Sequence, residues 1–327
     1  MIRVAFVTLA CALGCSLAAP IPAQSLLLER SIELPDVRGR LDHLAMDLEG
    51  NRLFVAALGA GSLEVIDLVG DKRVARIERL GEPQGVAYLA GSHRLVVASG
   101  SSGRVDAYDA IGSAAAASLL HVEDADNLRF DAAANHLFLG YGRALAQVDP
   151  RTLQATRQWT LAGHPEAFVV EPTGRYVYVN VPTASQIAVV DRRSDRLAAT
   201  WPVTGASANF AMAIDASSGR LFVATRRPPL LLAYDTGSGK RVSELPICGD
   251  TDDLFFDSAR KQLYAICGEG KVAVIRQRDP DRYEVIEQVT TAPGARTGLF
   301  VPDRSTLFVA APARIAGAAA VRIYRVQ

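Results

Sequence analysis

Apolar and polar positions along this chain follow a pattern that repeats as a block. From Leu44 it reads LAMDLEGNRLFVAAL: an apolar run closing at Asp47, a polar turn from Leu48 to Arg52, and a second apolar run from Leu53. Two antiparallel strands joined by a tight turn are predicted. The block returns, and anchoring each copy on the first apolar residue of its second strand gives Leu53, Leu95, Leu137, Val177, Leu221, Leu263 and Leu307, spaced by 42, 42, 40, 44, 42 and 44 residues. After most anchors comes a third strand closing in Asp, as in LEVIDL (Asp67), VDAYD (Asp109), IAVVD (Asp191) and LLLAYD (Asp235), and then a fourth such as VARIERL. Each repeat predicts one four-stranded antiparallel sheet.

No helix-period segment separates the sheets, so each must bury both faces against its neighbours, which radial closure achieves. The fold class is therefore all-β: a seven-bladed β-propeller over residues 24–327. The seventh repeat offers TGLFV, TLFVAA and VRIYRV but no fourth strand, whereas SLLLERSIEL, Ser25 to Leu34, precedes the first repeat. This N-terminal strand is expected to join the last blade and close the ring, leaving only short, protected edges. A closed ring needs no partner to hide an edge, so a monomer is expected. The small-residue stretches Ala114 to Ala117 and Ala316 to Ala320 read as loops or strand edges, not domain boundaries.

Composition narrows the function classes. With 35 basic and 35 acidic residues among 327 and no basic run, the electrostatic footprint of a nucleic-acid binder is absent. Arg3, the apolar run Val4 to Leu13 and the small residues and prolines up to Gln24 form the three parts of a signal peptide, residues 1–23, with cleavage near Ala18 to Ala23. Export to the periplasm or medium follows. An alternative uses Leu13-Gly14-Cys15, which resembles a lipoprotein box with Cys15 acylated. The run is too short to remain as a transmembrane helix, and no later stretch approaches the length needed. Outside the signal, which holds Cys11, only Cys248 and Cys267 remain. They fall at the same edge of the sixth repeat, where either a disulfide or two buried thiols fits, and no CxxC or Cys/His pattern makes them catalytic.

The strings GNRLFVA, GRYVYVN, GRLFVAT and IAVVD resemble the YVTN or YncE-like family of bacterial propellers, and the resemblance covers essentially the whole chain after the signal. It implies the propeller fold and an envelope binding or scaffold role, because that family hosts several functions. Other propeller families fit worse. There is no GH…WD pairing, no SxDxGxTW box, only Trp159 and Trp201 against the Trp-rich repeats of quinoprotein dehydrogenases, and no CxxCH for a covalent haem.

The repeat supplies its own control for polar residues. Asp47, Asp131, Glu171, Asp215 and Asp257 sit at the hairpin turns, while Asp67, Asp109, Asp149, Asp191 and Asp235 close third strands. Carboxylates recurring at one repeat position read as turn chemistry. Eleven residues before each anchor, where the innermost strand begins, stand Asp42, Gln84, Asp126, Glu166, Phe210, Asp252 and Arg296. Four residues further on, Met46, Tyr88, Phe130, Val170, Ile214, Phe256 and Phe300 predict burial between blades. Polarity thus switches on at one end of the central channel, where the strand starts ring its mouth. Adjacent positions add His43, Asn127, Asp253 and Thr297, with His164 and Asn209 close by.

These residues predict either a binding site at the mouth or a hydrated polar channel. The binding candidates are Asp42, His43, Gln84, Asp126, Asn127, Glu166, Asn209, Asp252, Asp253 and Arg296. Like carboxylates forced together bind a cation or raise one another's pKa. Asp42, Asp126, Glu166 and Asp252 are the metal candidates, and their oxygen donors suit a divalent cation such as Ca²⁺ or Mg²⁺ better than zinc. Loops after the second strands should bring Tyr141, Arg143, Arg226, Arg227 and Arg314 to the same face. Arg226 and Arg227 fit a clamp for an anionic group or two solvated arginines. His93, His121 and His136 read as surface residues, and neither a nucleophile-elbow triad nor a phosphate loop occurs. The expected function is an exported propeller that binds a small molecule or an envelope protein at its channel mouth. The alternative is a lactonase-like, metal-dependent hydrolase or lyase in which His43 or Glu166 moves a proton.

Overall fold

The computed structural model describes residues 24–109, 115–313 and 317–327. The signal segment with Cys11 and Cys15, Ala114, Arg314 and Ala316 lie outside the described residues. Seven four-stranded antiparallel sheets form a ring of blades. Blade 1 runs outward from the axis as Leu44–Asp47, Arg52–Ala57, Ser62–Asp67 and Lys72–Ile77. The innermost strands of blades 2 to 7 are Pro83–Leu89, Ala125–Asp131, Phe168–Val170, Ser207–Asp215, Thr251–Asp257 and Gly298–Val301. Blade 7 takes its outer strand from the start of the chain: Leu26–Leu34 pairs with Ala319–Val326, from Leu26 opposite Val326 to Leu34 opposite Ala319. Among the described residues no helix is long and apolar enough to cross a membrane.

Eight of the ten acids read as turn residues accept backbone N–H bonds, whereas Glu171 accepts the Thr173 hydroxyl and Asp109 lies 3.9 Å from Arg94. Asp47 accepts the backbone N–H of Gly50, Asp131 that of Ala134, Asp215 that of Ser217 and Asp257 that of Ala259. Asp67, Asp149, Asp191 and Asp235 do the same in the turns after the third strands. These bonds satisfy backbone donors that no strand pairs, which is why a short acid returns at each place.

Aromatic side chains bind several blades to their neighbours. Phe54 of blade 1 stacks on Tyr88 of blade 2 at 5.5 Å, Phe222 of blade 5 meets Phe256 of blade 6 at 5.5 Å, and Tyr264 of blade 6 meets Phe300 of blade 7 at 5.1 Å. Phe54, Phe222 and Tyr264 are fully buried, so truncating any of them to Ala would cost about 3–5 kcal/mol.

One expectation about the inner strands needs correction. Phe300 is buried in the seam between blades 6 and 7. Met46, Tyr88, Phe130, Ile214 and Phe256 are only half-buried, because besides packing on the seams they line an open central channel of about 450 Å³. Seven inner strands set around one axis leave a hole that these side chains narrow without filling.

Candidate functional site

The inner strands of blades 2, 3, 5 and 6 are entered through a tight bend, and that bend aims their mouth residues. Glu82, Asp124, Ala208 and Asp250, all thirteen residues before their anchors, adopt left-handed backbone with φ of 54°, 48°, 57° and 61°. The ladder to the second strand is then interrupted between Pro83 and Val86, Ala125 and Leu128, Asn209 and Met212, and Thr251 and Asp253. Bulges at strand starts turn side chains out of the regular alternation. Gly85 shows how closely the inner strands approach there: a Cβ on it would lie 1.9 Å from the carbonyl oxygen of Asp126. In blade 6 the Cys248–Cys267 disulfide, with Cα atoms 5.8 Å apart, staples the turn that carries Asp250, Asp252 and Asp253 to the end of the second strand.

Gln84, Asp126, Glu166, Phe210 and Asp252 line one mouth cavity of about 130 Å³, joined by Arg40, Asp124, His164 and Arg226, while Asp42 lies buried behind Arg40. Its wall has two halves. On the side of blades 1, 5 and 6, Arg40 Nη2 lies 2.8 Å from Asp42 Oδ2 and 3.5 Å from Asp252 Oδ2, while Arg226 Nη2 donates to Asp252 Oδ1 at 2.7 Å. Arg226 also lies over the Phe210 ring, 3.7 Å from its centroid, and reaches Asp250 at 3.3 Å. It is thus an ordered, stacked ion-pair partner of Asp252. Burial raises Asp42 to about 7 against the pull of His43 and Arg40, and burial likewise raises Asp252 despite Arg226. Arg40, opposed by burial but flanked by Asp42 and Asp252, is raised.

On the side of blades 3 and 4 no guanidinium lines the cavity among the described residues. His164 Nε2 lies 3.5 Å from Asp126 Oδ2, and its Nδ1 lies 3.3 Å from Asp124 Oδ2 and 3.1 Å from the carbonyl oxygen of Gly142. One ligand atom each from Asp126, His164 and Glu166 lies within 4.8 Å of the others. The Glu166 carboxylate makes no ion pair within 4.0 Å among the described residues, and it is raised to about 8 by burial and by the charges of Asp126 and Asp252. Burial lowers His164, but Asp126 and Asp124 outweigh it and bring it to about 9. Two carboxylates and one imidazole converging with open positions make a plausible hand of donors for a divalent cation.

Beneath the mouth lies a charged layer. His43 bridges Asp253, 3.4 Å from Nδ1 to Oδ2, and Asp42, 3.8 Å from Nε2 to Oδ1. Burial opposes its charge, yet Asp253 and Asp42 hold it at about 9. Asp253 is lowered in spite of burial, because His43 and the N–H of Gly298, at 2.9 Å, favour its charged form. This layer separates the mouth from the 450 Å³ channel, which starts at His43 and Asp253 and runs to the far ends of the inner strands.

The remaining predicted residues lie elsewhere. Arg296 turns to the rim, where it pairs with Asp250 at 3.0 Å. Asn209 is fully buried and donates to Asn180 Oδ1 and to the carbonyl oxygen of Gln186 across the seam between blades 4 and 5. Asn127 is buried, with its Oδ1 accepting no hydrogen bond. Arg227 is exposed, Tyr141 donates to Gln158, and Arg143 donates to the carbonyl oxygen of Ala162. His93 and His121 are exposed, whereas His136 meets Arg192 at 2.9 Å. Arg40, Asp124 and Asp250 had no place in the sequence-based candidate set, nor did Arg129 inside the channel. A signal for the first three exists: thirteen residues before the anchors the chain reads Arg40, Glu82, Asp124, His164, Ala208, Asp250 and Gly294, a second polar row just ahead of the first.

By sequence, the chain matches no protein-family model and no curated protein. By shape, it is similar to a chain in the crystal structure of a mitotic checkpoint complex, with a TM-score of 0.78 at 15% identity over 98% of this chain and 99% of the other. At that identity the likeness concerns the fold alone, and what it establishes is a seven-bladed β-propeller.

Proposed function

We propose that this protein is an exported propeller whose channel mouth binds a small polar ligand through a divalent cation held by Asp126, His164 and Glu166. The observation that carries this reading is the convergence of those three donors on the half of the cavity wall opposite Arg40 and Arg226. A folded protein gains nothing from keeping such carboxylates unneutralised, so their retention beside a cavity points to a ligand. The cavity, about 130 Å³, suits a cation with a small head group and is too confined for a protein segment, which favours a small molecule over an envelope protein. Export, and a YncE-like envelope role, rest on the N-terminal signal pattern and the repeat strings. The Cys248–Cys267 bond agrees with an oxidising compartment.

A hydrolase or lyase reading has one observation of its own. Glu166, raised to about 8, holds a proton near neutral pH beside the same donors, which is the state a general acid requires.

Thermal melts of the EDTA-treated protein with Ca²⁺, Mg²⁺, Mn²⁺ or Zn²⁺ added back test the proposal. At least one cation should raise the melting temperature of the wild type and leave His164→Ala and Glu166→Gln unmoved, while Asp252→Asn keeps the response. If no cation shifts the wild type, or all variants shift equally, the cation site is wrong. An ester and lactone panel on the loaded protein separates the enzyme from the binder.

A further inference from the structure

A cavity larger than the mouth lies deeper along the axis. Beyond the layer of Asp42, His43 and Asp253, the channel of about 450 Å³ falls within the size range of small-molecule pockets, roughly 300–1,000 Å³. Its wall is set by one repeat position, eight residues before each anchor. Six blades place Ala45, Ala87, Val169, Ala213, Phe255 and Leu299 there, and blade 3 alone places a charge, Arg129.

Arg129 is half-buried and poorly compensated. Its Nη1 donates to the carbonyl oxygen of Leu128 at 2.8 Å, and its guanidinium lies 5.8 Å from the centre of the Phe168 ring. No carboxylate lies within 4.0 Å of it among the described residues. Asp253, the one acid lining the channel, is already engaged by His43 and by the N–H of Gly298. A guanidinium presents five N–H donors in a planar fork that matches a carboxylate. Apart from His43 and Asp253 at the upper end and Tyr88, the side chains around it are apolar, and an unpaired charge among them is costly.

We propose that this channel is a second binding site, independent of the mouth, for a monocarboxylate with an apolar body. The carboxylate pairs with Arg129 beneath the His43 layer, and the body lies against the alanine, valine, leucine and phenylalanine wall. A cation is disfavoured by Arg129 and by the imidazolium of His43, and an apolar molecule without a charge leaves the guanidinium unpaired.

Calorimetric titration with octanoate, and with octanamide as its uncharged counterpart, tests the assignment. Octanoate should bind the wild type and lose at least tenfold in affinity in Arg129→Gln, with Arg129→Lys recovering part of the loss. Octanamide should bind weakly and equally to wild type and Arg129→Gln. Ala213→Trp, which obstructs the channel while leaving Arg129 in place, should abolish octanoate binding, and Glu166→Gln at the mouth should not affect it. The proposal is overturned if octanoate gives no binding at millimolar concentration, if it binds Arg129→Gln as well as wild type, or if Glu166→Gln and not the channel variants removes it. Should Arg129→Gln fail to fold, retained binding in folded Ala213→Trp is sufficient to overturn it. Because no metal takes part, this outcome is read separately from that of the cation melts.

Discussion

The two halves of the channel mouth hold similar numbers of carboxylates and treat them in opposite ways. In blades 1, 5 and 6, Asp42 and Asp252 are matched by Arg40 and Arg226, and the turn bearing Asp250 is stapled by a disulfide. In blades 3 and 4, Asp126 and Glu166 share only His164. One half has its charges neutralised from within the fold, so its residues act as a frame. The other leaves an unpaired carboxyl facing the cavity and is where an external charge has the most to gain. Residue type alone does not separate the halves, since each is built from carboxylates and a basic partner. The difference lies in whether the partner is a guanidinium fixed in a fork or an imidazole whose charge depends on pH.

If the first half is a frame, weakening it should cost stability more than anything done to the second. The largest effect is expected from removing the staple. Cys248 and Cys267 are 19 residues apart in sequence, and closing a loop of that length constrains the unfolded chain by about 3 kcal/mol. The Cys248→Ser/Cys267→Ser protein should therefore lose that much unfolding free energy in chemical melts, with a higher m-value because its unfolded chain is less compact. The cation response of blades 3 and 4 should survive below the transition. Loss of that response in the still-folded double variant would show that the halves are not separate.

A smaller loss is expected from Arg40→Met. Asp42 is about 1% exposed, and removing its guanidinium partner takes away a charge-assisted contact worth about 2 kcal/mol. Asp42 already stands at about 7, so below that pH it can take up a proton and avoid the penalty. Above it the carboxylate stays charged and unpaired. The destabilisation should accordingly grow as pH rises from about 6 to about 8, and adding Asp42→Asn should recover most of it. Equal losses at both pH values would mean that Arg40 acts by packing and not by charge.

These distinctions were only partly legible in the sequence. The fold was, because each blade repeats the same hairpin and turn chemistry and the N-terminal strand supplies what the seventh repeat lacks. The mouth ring was legible for Asp42, Gln84, Asp126, Glu166 and Asp252, whose repeat position departs from blade to blade. Arg40, Asp124 and Asp250 were not, since they stand two residues earlier at bends that no hydrophobic period marks, Asp124 and Asp250 being left-handed themselves and Arg40 following the left-handed Gly39. Asn209 misled because a buried inter-blade hydrogen bond and a ligand contact call for the same side chain. Arg129 shows the opposite case: it breaks a row of apolar residues, but the row was identifiable as channel-lining only once the blades stood in a ring. The side of an inner strand that faces the axis depends on the bulge at its start, and a bulge leaves little trace in composition.

The smallest effect is also the one most specific to the unneutralised half. Glu166 is raised in the folded protein to about 8, so its contribution to stability is complete below the ordinary carboxylate range and is lost as pH rises through 8. His164 and His43, raised to about 9, contribute fully below the ordinary imidazole range and lose that contribution as pH rises through 9. All three shifts act in one direction, so the metal-free melting temperature of the wild type should fall between about pH 6 and about pH 9.5. Glu166→Gln removes one of the three. In EDTA it should melt closest to the wild type near about pH 4, where Glu166 is protonated in the folded state and largely so in the unfolded chain, and above it near about pH 9.5. At about 2–4 °C per kcal/mol for a chain of this size or somewhat smaller, a gap of a few degrees is expected. Adding the cation at the higher pH should close that gap by raising the wild type alone, because the charge that destabilises Glu166 in the empty mouth is the charge that holds the ion. Parallel profiles for the two proteins would place Glu166 with the compensated carboxylates of the frame and remove the basis for treating blades 3 and 4 differently.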